Sequence, residues 1–356
     1  MRIAQVAPLF ESVPPRLYGG TERVVWSLTE ALVRRGHDVT LFASGDSATS
    51  ARLVPCCEQG LRLAGQITDA HAFTTIQLGM VYSRADEFDI IHNHIDYASF
   101  PMARLVQTPT LTTLHGRLDL PAMRRISQFF RDLPLVSVSR AQRTPLRTAN
   151  WIATIYHGIP LEHYRLRPRP GQYLAFLGRI SPEKRLDRAI EIARATDLPL
   201  KVAAKIDPAD QDYYRHAIKP LLDHPLVEYA GEIDEREKDR FLGEAYAYLF
   251  PIDWPEPFGL TMIEAMATGT PVIAMACGSV PEIVEPGLTG FVCRSLDEMI
   301  AAVRRVPEID RRVCRRRVEE RFGAERMAAD YEAVYERLRE ERWPPGIRPA
   351  LEKVFA

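Results

Sequence analysis

No apolar run in this chain reaches the roughly 18 residues that a membrane-spanning helix requires, so no segment reads as a bilayer span. Cysteine is scarce: Cys56, Cys57, Cys277, Cys293 and Cys314 are odd in number and never fall in a Cys-x-x-Cys spacing. Neither a disulfide framework nor a zinc site is indicated, and reduced thiols in a cytoplasmic protein are the expectation. Neither sign of charge predominates, with 46 Lys and Arg against 47 Asp and Glu. That balance removes the bulk electrostatic argument for a nucleic-acid partner. The opening MRIAQVAPLF leads straight into a strand pattern and lacks the charged-then-apolar layout of a secretory signal. No GxGxxG follows the first strand, which argues against a nicotinamide dehydrogenase. No repeat of solenoid period and no low-complexity segment occurs.

What is present is a long alternation of short β-branched runs with helical patterns. At 356 residues the chain has room for two domains, each with its own core. The first half offers the runs RIAQVAP, DVTLFAS, DIIHNH, TPTLTTLHG, PLVSVS and WIATIYHG, with a helix from about Thr21 to Arg35 stopped by Gly36. A second series follows: YLAFLGR, LPLKVAA, LVEYAGEI, AYLFPI, TPVIAMA and TGFVC. Strands fed by helices predict a parallel sheet covered on both faces. Between the two series, residues 160–171 carry three prolines and four charged residues and break any period. The reading is therefore α/β: two doubly wound domains, residues 1–160 and 171–323, with a ligand cleft between them at the carboxyl ends of the strands. The tail from Gly323 to Arg342 reads as a charged amphipathic helix with Met327, Tyr331, Val334, Tyr335 and Leu338 on one side. It is expected, with the rest of 324–356, to pack back onto the first domain.

The most informative stretch is Glu256-Pro-Phe-Gly-Leu-Thr-Met-Ile-Glu264. Two carboxylates bracket a turn that opens a small-residue helix ending near Gly269. A helix starting near Gly259 aims its unpaired N–H groups and positive dipole end at whatever lies beyond the turn, which favours a phosphate. Eight helical positions span roughly 12 Å, too far for both acids to act on one bond. The spacing suits two acids that accept hydroxyl hydrogen bonds at different ends of one extended anion, as in a nucleotide sugar. Upstream, Arg179 ends a strand and Lys184 follows Ser181-Pro182, a good cap and first-turn pair. Two cations at one helix N-terminus suit a diphosphate, Arg as a fork and Lys as a point charge. The alternative is that both solvate a surface helix.

In the first half, Gly19-Gly20 precedes helix one, where glycines allow close backbone approach to a ligand; a flexible turn is the plain alternative. His92, His94 and His115 all sit at strand ends and are predicted to face the cleft. No HExxH or Cys/His framework accompanies them, so metal binding is not favoured. His115 could hydrogen-bond a sugar hydroxyl, or simply a backbone group. Gly278-Ser-Val-Pro-Glu282 is a further strand-end loop, readable as a site contact or as a capped turn. The run Arg311, Arg312, Arg315, Arg316 and Arg317 could touch anionic lipid heads in weak peripheral contact. Neighbouring Glu319, Glu320 and Glu325 favour a solvated helix face instead.

Taken together, YGGTERVV, IIHNH, TLHG, LGRISPEKRLDRAI, AGEI and EPFGLTMIEAMATGTPVIAMACGSVPEIVEPGLTGFV resemble the retaining glycosyltransferases of family 4, which have the GT-B fold. The resemblance runs from residue 18 to about 293. It implies that Glu264 binds the ribose hydroxyls, Glu256 the transferred sugar, and Arg179 and Lys184 the diphosphate. Backbone N–H groups of Phe258, Gly259 and Leu260 would cradle the sugar and its phosphate. His115 would touch the donor sugar near the reacting carbon, and Gly19-Gly20 would form the phosphate-side loop. At one point the chain departs from the pattern. His157-Gly158-Ile159-Pro160 stands where many relatives read Asn-Gly-Ile-Asp, and no role is carried over to that segment.

The same resemblance implies transfer of a hexosyl unit with retained configuration and no metal requirement. The donor would be a nucleoside-diphosphate sugar such as UDP-glucose. No residue stands out as a general base, so the leaving phosphate would take the acceptor's proton on the same face. A glycosidase-like double displacement needs carboxyls about 5 Å apart, which the Glu256–Glu264 spacing does not suit. Competing readings are an epimerase or phosphorylase on the same architecture and a catalytically silent nucleotide-sugar binding protein. The acceptor, whether sugar, lipid-linked glycan or small molecule, is assigned to variable first-domain loops around residues 45–80 and has no readable code. Oligomeric state is equally unencoded.

Overall fold

A computed structural model describes residues 1–62 and 69–341. The chain forms two compact units, Met1–Gly158 with the segment from Ala324 onward, and Ile159–Gly323.

Among the described residues, the first unit holds seven strands: β1 (Arg2–Val6), β2 (Asp38–Ser44), β3 (Arg52–Cys57), β4 (Ile90–Asn93), β5 (Thr110–Leu114), β6 (Leu135–Ser137) and β7 (Trp151–Thr154). They form one parallel sheet in the order β3-β2-β1-β4-β5-β6-β7. The order reverses beside β1, the switch point at which ligands bind in doubly wound sheets. Central strands are buried on both faces, with Ile3, Ala4, Val6, Ile90 and Ile91 fully covered, which is why they read as continuous apolar runs. Strand β3 has no counterpart in the sequence reading. Its RLVPCC carries Pro55, which an edge strand tolerates because one side needs no ladder donor.

Helix Gly20–Arg34 ends at Gly36 in the left-handed region (φ 85°). Against it lies helix Ala324–Glu340, whose Met327, Tyr331, Val334, Tyr335 and Leu338 are all buried. The ion pair Arg34–Glu325 (2.9 Å) and the hydrogen bond between His37 Nε2 and Glu332 (2.9 Å) flank the seam. The tail therefore belongs to the first unit as far as residue 341. Residues 342–356, and 63–68 within the 45–80 region, lie outside the described residues.

The second unit is a six-stranded parallel sheet in the order β10-β9-β8-β11-β12-β13. Its strands are β8 (Leu174–Arg179), β9 (Leu200–Lys205), β10 (Val227–Gly231), β11 (Ala247–Phe250), β12 (Val272–Met275) and β13 (Gly290–Cys293). The segment 160–171, set apart as a linker by its composition, is docked onto this unit. Arg167 pairs with Asp239 at 2.8 Å, and the Arg165 N–H donates to the same carboxylate at 2.7 Å.

The arginine run takes a different part from either sequence reading. Arg311 is buried and donates to the carbonyls of Arg167, Ala245 and Gly243 and to Thr270 Oγ1, at 2.6 to 3.0 Å. Arg315 reaches the carbonyls of Tyr164 (2.6 Å) and Ala267 (3.1 Å), and Arg317 pairs with Glu285 and Glu320. Only Arg312 and Arg316 are left exposed. Spacing identified a basic helix but could not see the carbonyls that two of its arginines, Arg311 and Arg315, meet.

Candidate active site

In the second unit, Arg179 ends β8 and Lys184 closes a single 3-10 turn, Pro182–Lys184. The predicted helix start at Ser181-Pro182 is corrected here. The Ser181 side chain makes no cap, Arg185 is left-handed (φ 54°), and the helix proper is Leu186–Thr196. Arg179 and Lys184 therefore precede the helix and do not sit in its first turn. Proline at the first position favours the tight turn, and the Asp253 N–H to Glu183 carbonyl bond (2.9 Å) ties it to the loop after β11.

That tie brings Lys184 to Glu256. The ammonium pairs with Glu256 Oε2, which also accepts from the Trp254 indole N–H at 2.9 Å. Lys184 Nζ also lies 5.4 Å from the Phe250 ring centre and 5.2 Å from that of Trp254, a cation–π cage. Arg179 is paired with Glu183 and with Asp210, the latter at 3.4 Å. Both predicted diphosphate cations thus carry carboxylate partners, which an anionic ligand would have to exchange for its own oxygens.

Gly259 is left-handed (φ 86°) and hands the chain into helix Leu260–Ala267. No side chain caps this helix and no acid occupies its first turn, so its first N–H groups remain available to an anion. Glu264 lies within the helix and is almost fully buried. Its Oε1 accepts from Lys238 Nζ at 2.7 Å; Lys238 also pairs with Glu235 at 3.1 Å. Glu264 Oε2 is buried and takes no hydrogen bond among the described residues, a position that suits a ligand hydroxyl. Glu264, Arg179, Lys184, Glu256 and the Phe258–Leu260 backbone all fall in this unit. Lys238 and Trp254 were not anticipated. A lysine inside EREKDRFLG reads as a solvated face, and only the fold shows it buried against Glu264.

The Gly278–Glu282 loop resolves as a brace. The Ser279 N–H donates to the Glu256 carbonyl at 3.0 Å and Ser279 Oγ to the Phe258 carbonyl at 2.7 Å. Gly278 is left-handed (φ 56°), and a Cβ there would lie 2.3 Å from the Glu256 carbonyl oxygen. We expect Gly278→Ala to push the Glu256 turn aside, destabilising the protein by about 1–3 kcal/mol and abolishing most donor turnover. Thermal melting and a donor-cleavage assay on the same sample check both parts; wild-type turnover would refute the brace.

In the first unit, Gly19 is extended (φ 169°), and a Cβ there would lie 2.7 Å from Pro15 Cβ. Packing against Pro15, and not an unusual φ, is what calls for glycine. Gly20 is exposed and opens helix Gly20–Arg34, which has no side-chain cap. Glu22 in its first turn is buried, and desolvation pushes its carboxyl up to about 7.

The histidines form a row. Ring centres lie 4.0 Å apart for His92 and His94 and 5.1 Å for His94 and His115, both pairs tilted, and 5.1 Å for His115 and His157, which stack. His92 is fully buried between Tyr335 Oη and Thr113 Oγ1, both at 2.7 Å, so it serves structure and does not face a ligand as predicted. His94 is buried likewise, bonded to His115 and Gln5. His115 Nδ1 is buried and takes no hydrogen bond among the described residues. His157, where the family pattern is broken, lies flat on the His115 ring.

Burial holds all four rings neutral, His115 down to about 3 and the others well below the usual value. Unfolded histidines titrate near 6.5. Below that pH the unfolded chain binds protons that the folded rings refuse, so stability falls as pH drops through 6.5 and goes on falling toward 3. A melting temperature that is flat between pH 7.5 and pH 5 would contradict this.

Two Rossmann-like domains with these elements define a glycosyltransferase of the GT-B class. The profile for the family "Glycosyl transferases group 1" matches residues 165–319, and that for "Glycosyltransferase Family 4" matches residues 18–163. The chain belongs to glycosyltransferase family 4. It is similar to glycogen synthase of Mycobacterium tuberculosis, 26% identical over 90% of this chain and 89% of that one. A phosphatidyl-myo-inositol mannosyltransferase of Propionibacterium freudenreichii is also 26% identical, over 83% and 82%. Among solved structures, Anabaena HepE in complex with UDP-glucose superposes with a TM-score of 0.73 at 17% identity, covering 95% of this chain and all of that one. Among the described residues, no helix is long and apolar enough to cross a membrane.

Proposed function

We propose that the chain is a retaining hexosyltransferase that moves a hexosyl unit from a nucleoside-diphosphate sugar, UDP-glucose foremost, to a hydroxyl acceptor. The observation that carries this is the pair of lysine-held acids about one uncapped helix start. Glu256 is held by Lys184, and Glu264 is held by Lys238 with its second oxygen unsatisfied. Relatives named for hexosyl transfer, and the UDP-glucose held by HepE, support the donor class.

In this reading Glu264 Oε2 accepts from a ribose hydroxyl, while Lys238 occupies its other oxygen and prevents the buried carboxylate from standing alone. The diphosphate enters between Arg179, Lys184 and the free N–H groups that follow Gly259. Negative charge grows there as the glycosidic bond breaks, so preorganised cations and dipoles lower the barrier. Glu256, released from Lys184, accepts sugar hydroxyls and stabilises oxocarbenium-like charge. The departing phosphate oxygen takes the acceptor's proton on the same face, which retains configuration, and the two cations make a metal unnecessary. His115 is assigned to the sugar. The five unpaired thiols agree with a reducing cytoplasmic setting.

A thermal-shift screen of nucleotide sugars tests the reading. One donor should raise the melting temperature, its nucleoside diphosphate should reproduce most of the rise, and Glu264→Gln should reduce both. At a hundred times the dissociation constant the gain is about 2.7 kcal/mol. No response to UDP-, GDP- or ADP-sugars would sink the proposal.

A further inference from the structure

We propose that Gln5, His94 and Tyr335 are positioning residues that lock His115 in one neutral tautomer, hydrogen on Nε2 and Nδ1 left bare to accept from a hydroxyl of the bound sugar. The inference rests on the proposed function only for what His115 meets; the lock itself is a property of the free protein.

The argument starts from an atom that can only accept. Gln5 Oε1 lies 2.8 Å from His94 Nε2, so that nitrogen carries the hydrogen. Neutral His94 then has a lone pair on Nδ1, and His115 Nε2, 2.9 Å away, must donate into it. His115 Nδ1 is consequently without hydrogen, buried, and without a partner among the described residues. At the other end of the Gln5 amide, Nε2 donates to Tyr335 Oη at 3.1 Å. Having received that bond, the tyrosine passes its own hydrogen to His92 Nδ1 at 2.7 Å. His92 Nε2 then donates to Thr113 Oγ1 at 2.7 Å, which meets Tyr331 Oη at 2.9 Å. Both tyrosines come from helix Ala324–Glu340, so the tail helix closes the far end of the row. Turning the Gln5 amide over would reverse the bonds and make His115 Nδ1 a donor. The orientation of one buried amide thus decides whether the sugar meets an acceptor or a donor.

The test is a long-range proton–nitrogen spectrum of full-length protein labelled with 15N-histidine, His115 being assigned through His115→Gln. The expected spectrum shows His94 and His115 each as a single Nε2–H form. Gln5→Leu should split the His115 signal into a mixture of tautomers while circular dichroism stays unchanged. Gln5→Glu, which can only accept, should restore the single form. A wild-type His115 with hydrogen on Nδ1, or an unaltered His115 tautomer in Gln5→Leu, overturns the proposal. A misfolded Gln5→Leu leaves Tyr335→Phe, which keeps the ring and removes the hydroxyl, to make the same comparison. If the tautomers stand and UDP-glucose, GDP-mannose and ADP-glucose all fail to shift the melting temperature, the functional reading fails and the lock survives.

Discussion

Lys184→Ala lowers donor turnover by roughly 10²–10³-fold, the loss seen when one preorganised group is removed from a developing charge. The ammonium contributes most where negative charge is growing on the leaving phosphate, so the fall should appear chiefly in kcat, with a smaller change in KM. The substitution also leaves Glu256 without its cation, although the Trp254 indole N–H still bonds to the carboxylate. Lys184→Arg should recover little. The cage formed by Phe250 and Trp254 receives a compact ammonium, and a planar guanidinium distributes its charge differently. Release of nucleoside diphosphate, measured over a range of donor concentrations, decides the matter. Turnover within threefold of wild type in Lys184→Ala would show that the leaving group is held elsewhere.

The second large effect concerns stability and lies away from the chemistry. Arg311→Leu removes the donor side of four hydrogen bonds, three buried and one part-buried, to the carbonyls of Gly243, Ala245 and Arg167 and to Thr270 Oγ1. Leucine fills part of the volume but donates nothing, and each buried acceptor left unsatisfied costs about 1–3 kcal/mol. With three of the four buried, the loss is about 3–5 kcal/mol. For a domain of this size that corresponds to a fall in melting temperature of roughly 10 °C. Burial already holds the guanidinium down to about 10, so the native arginine carries a desolvation cost that only its full set of partners offsets. Calorimetry would show it, and a shift under about 2 °C would mean that water reaches those acceptors freely.

Much of the second unit's site was legible because it is local. The turn at Gly259, the helix from Leu260 and the stop near Gly269 follow from neighbouring residue types, and the structure has each in place. The strand ending in Arg179 was equally clear. Error entered where two local rules competed. Ser181-Pro182 looks like a helix start, yet a left-handed Arg185 separates that turn from the helix. Strand β3 went unread because Pro55 argues against a strand, and only its place at the sheet edge removes the objection.

The sequence by itself determined the two βα series, the strand ends that carry Arg179 and His115, the apolar face of the tail helix, and the acids at 256 and 264. Periodicity and turn chemistry act over a few residues and are written in the order of the chain. What only the tertiary structure decided is how those groups are held. Lys184 meets Glu256 across 72 positions, Lys238 meets Glu264 across 26, and Gln5 meets Tyr335 across 330. Such pairs form because sheet order and helix packing bring distant segments together, and no spacing rule along the chain reports them. Burial belongs to the same class: it turns a row of histidines into neutral hydrogen-bonding rings and an arginine run into an internal brace. Both outcomes depend on what covers the side chain, which the residue's own neighbours in sequence do not specify.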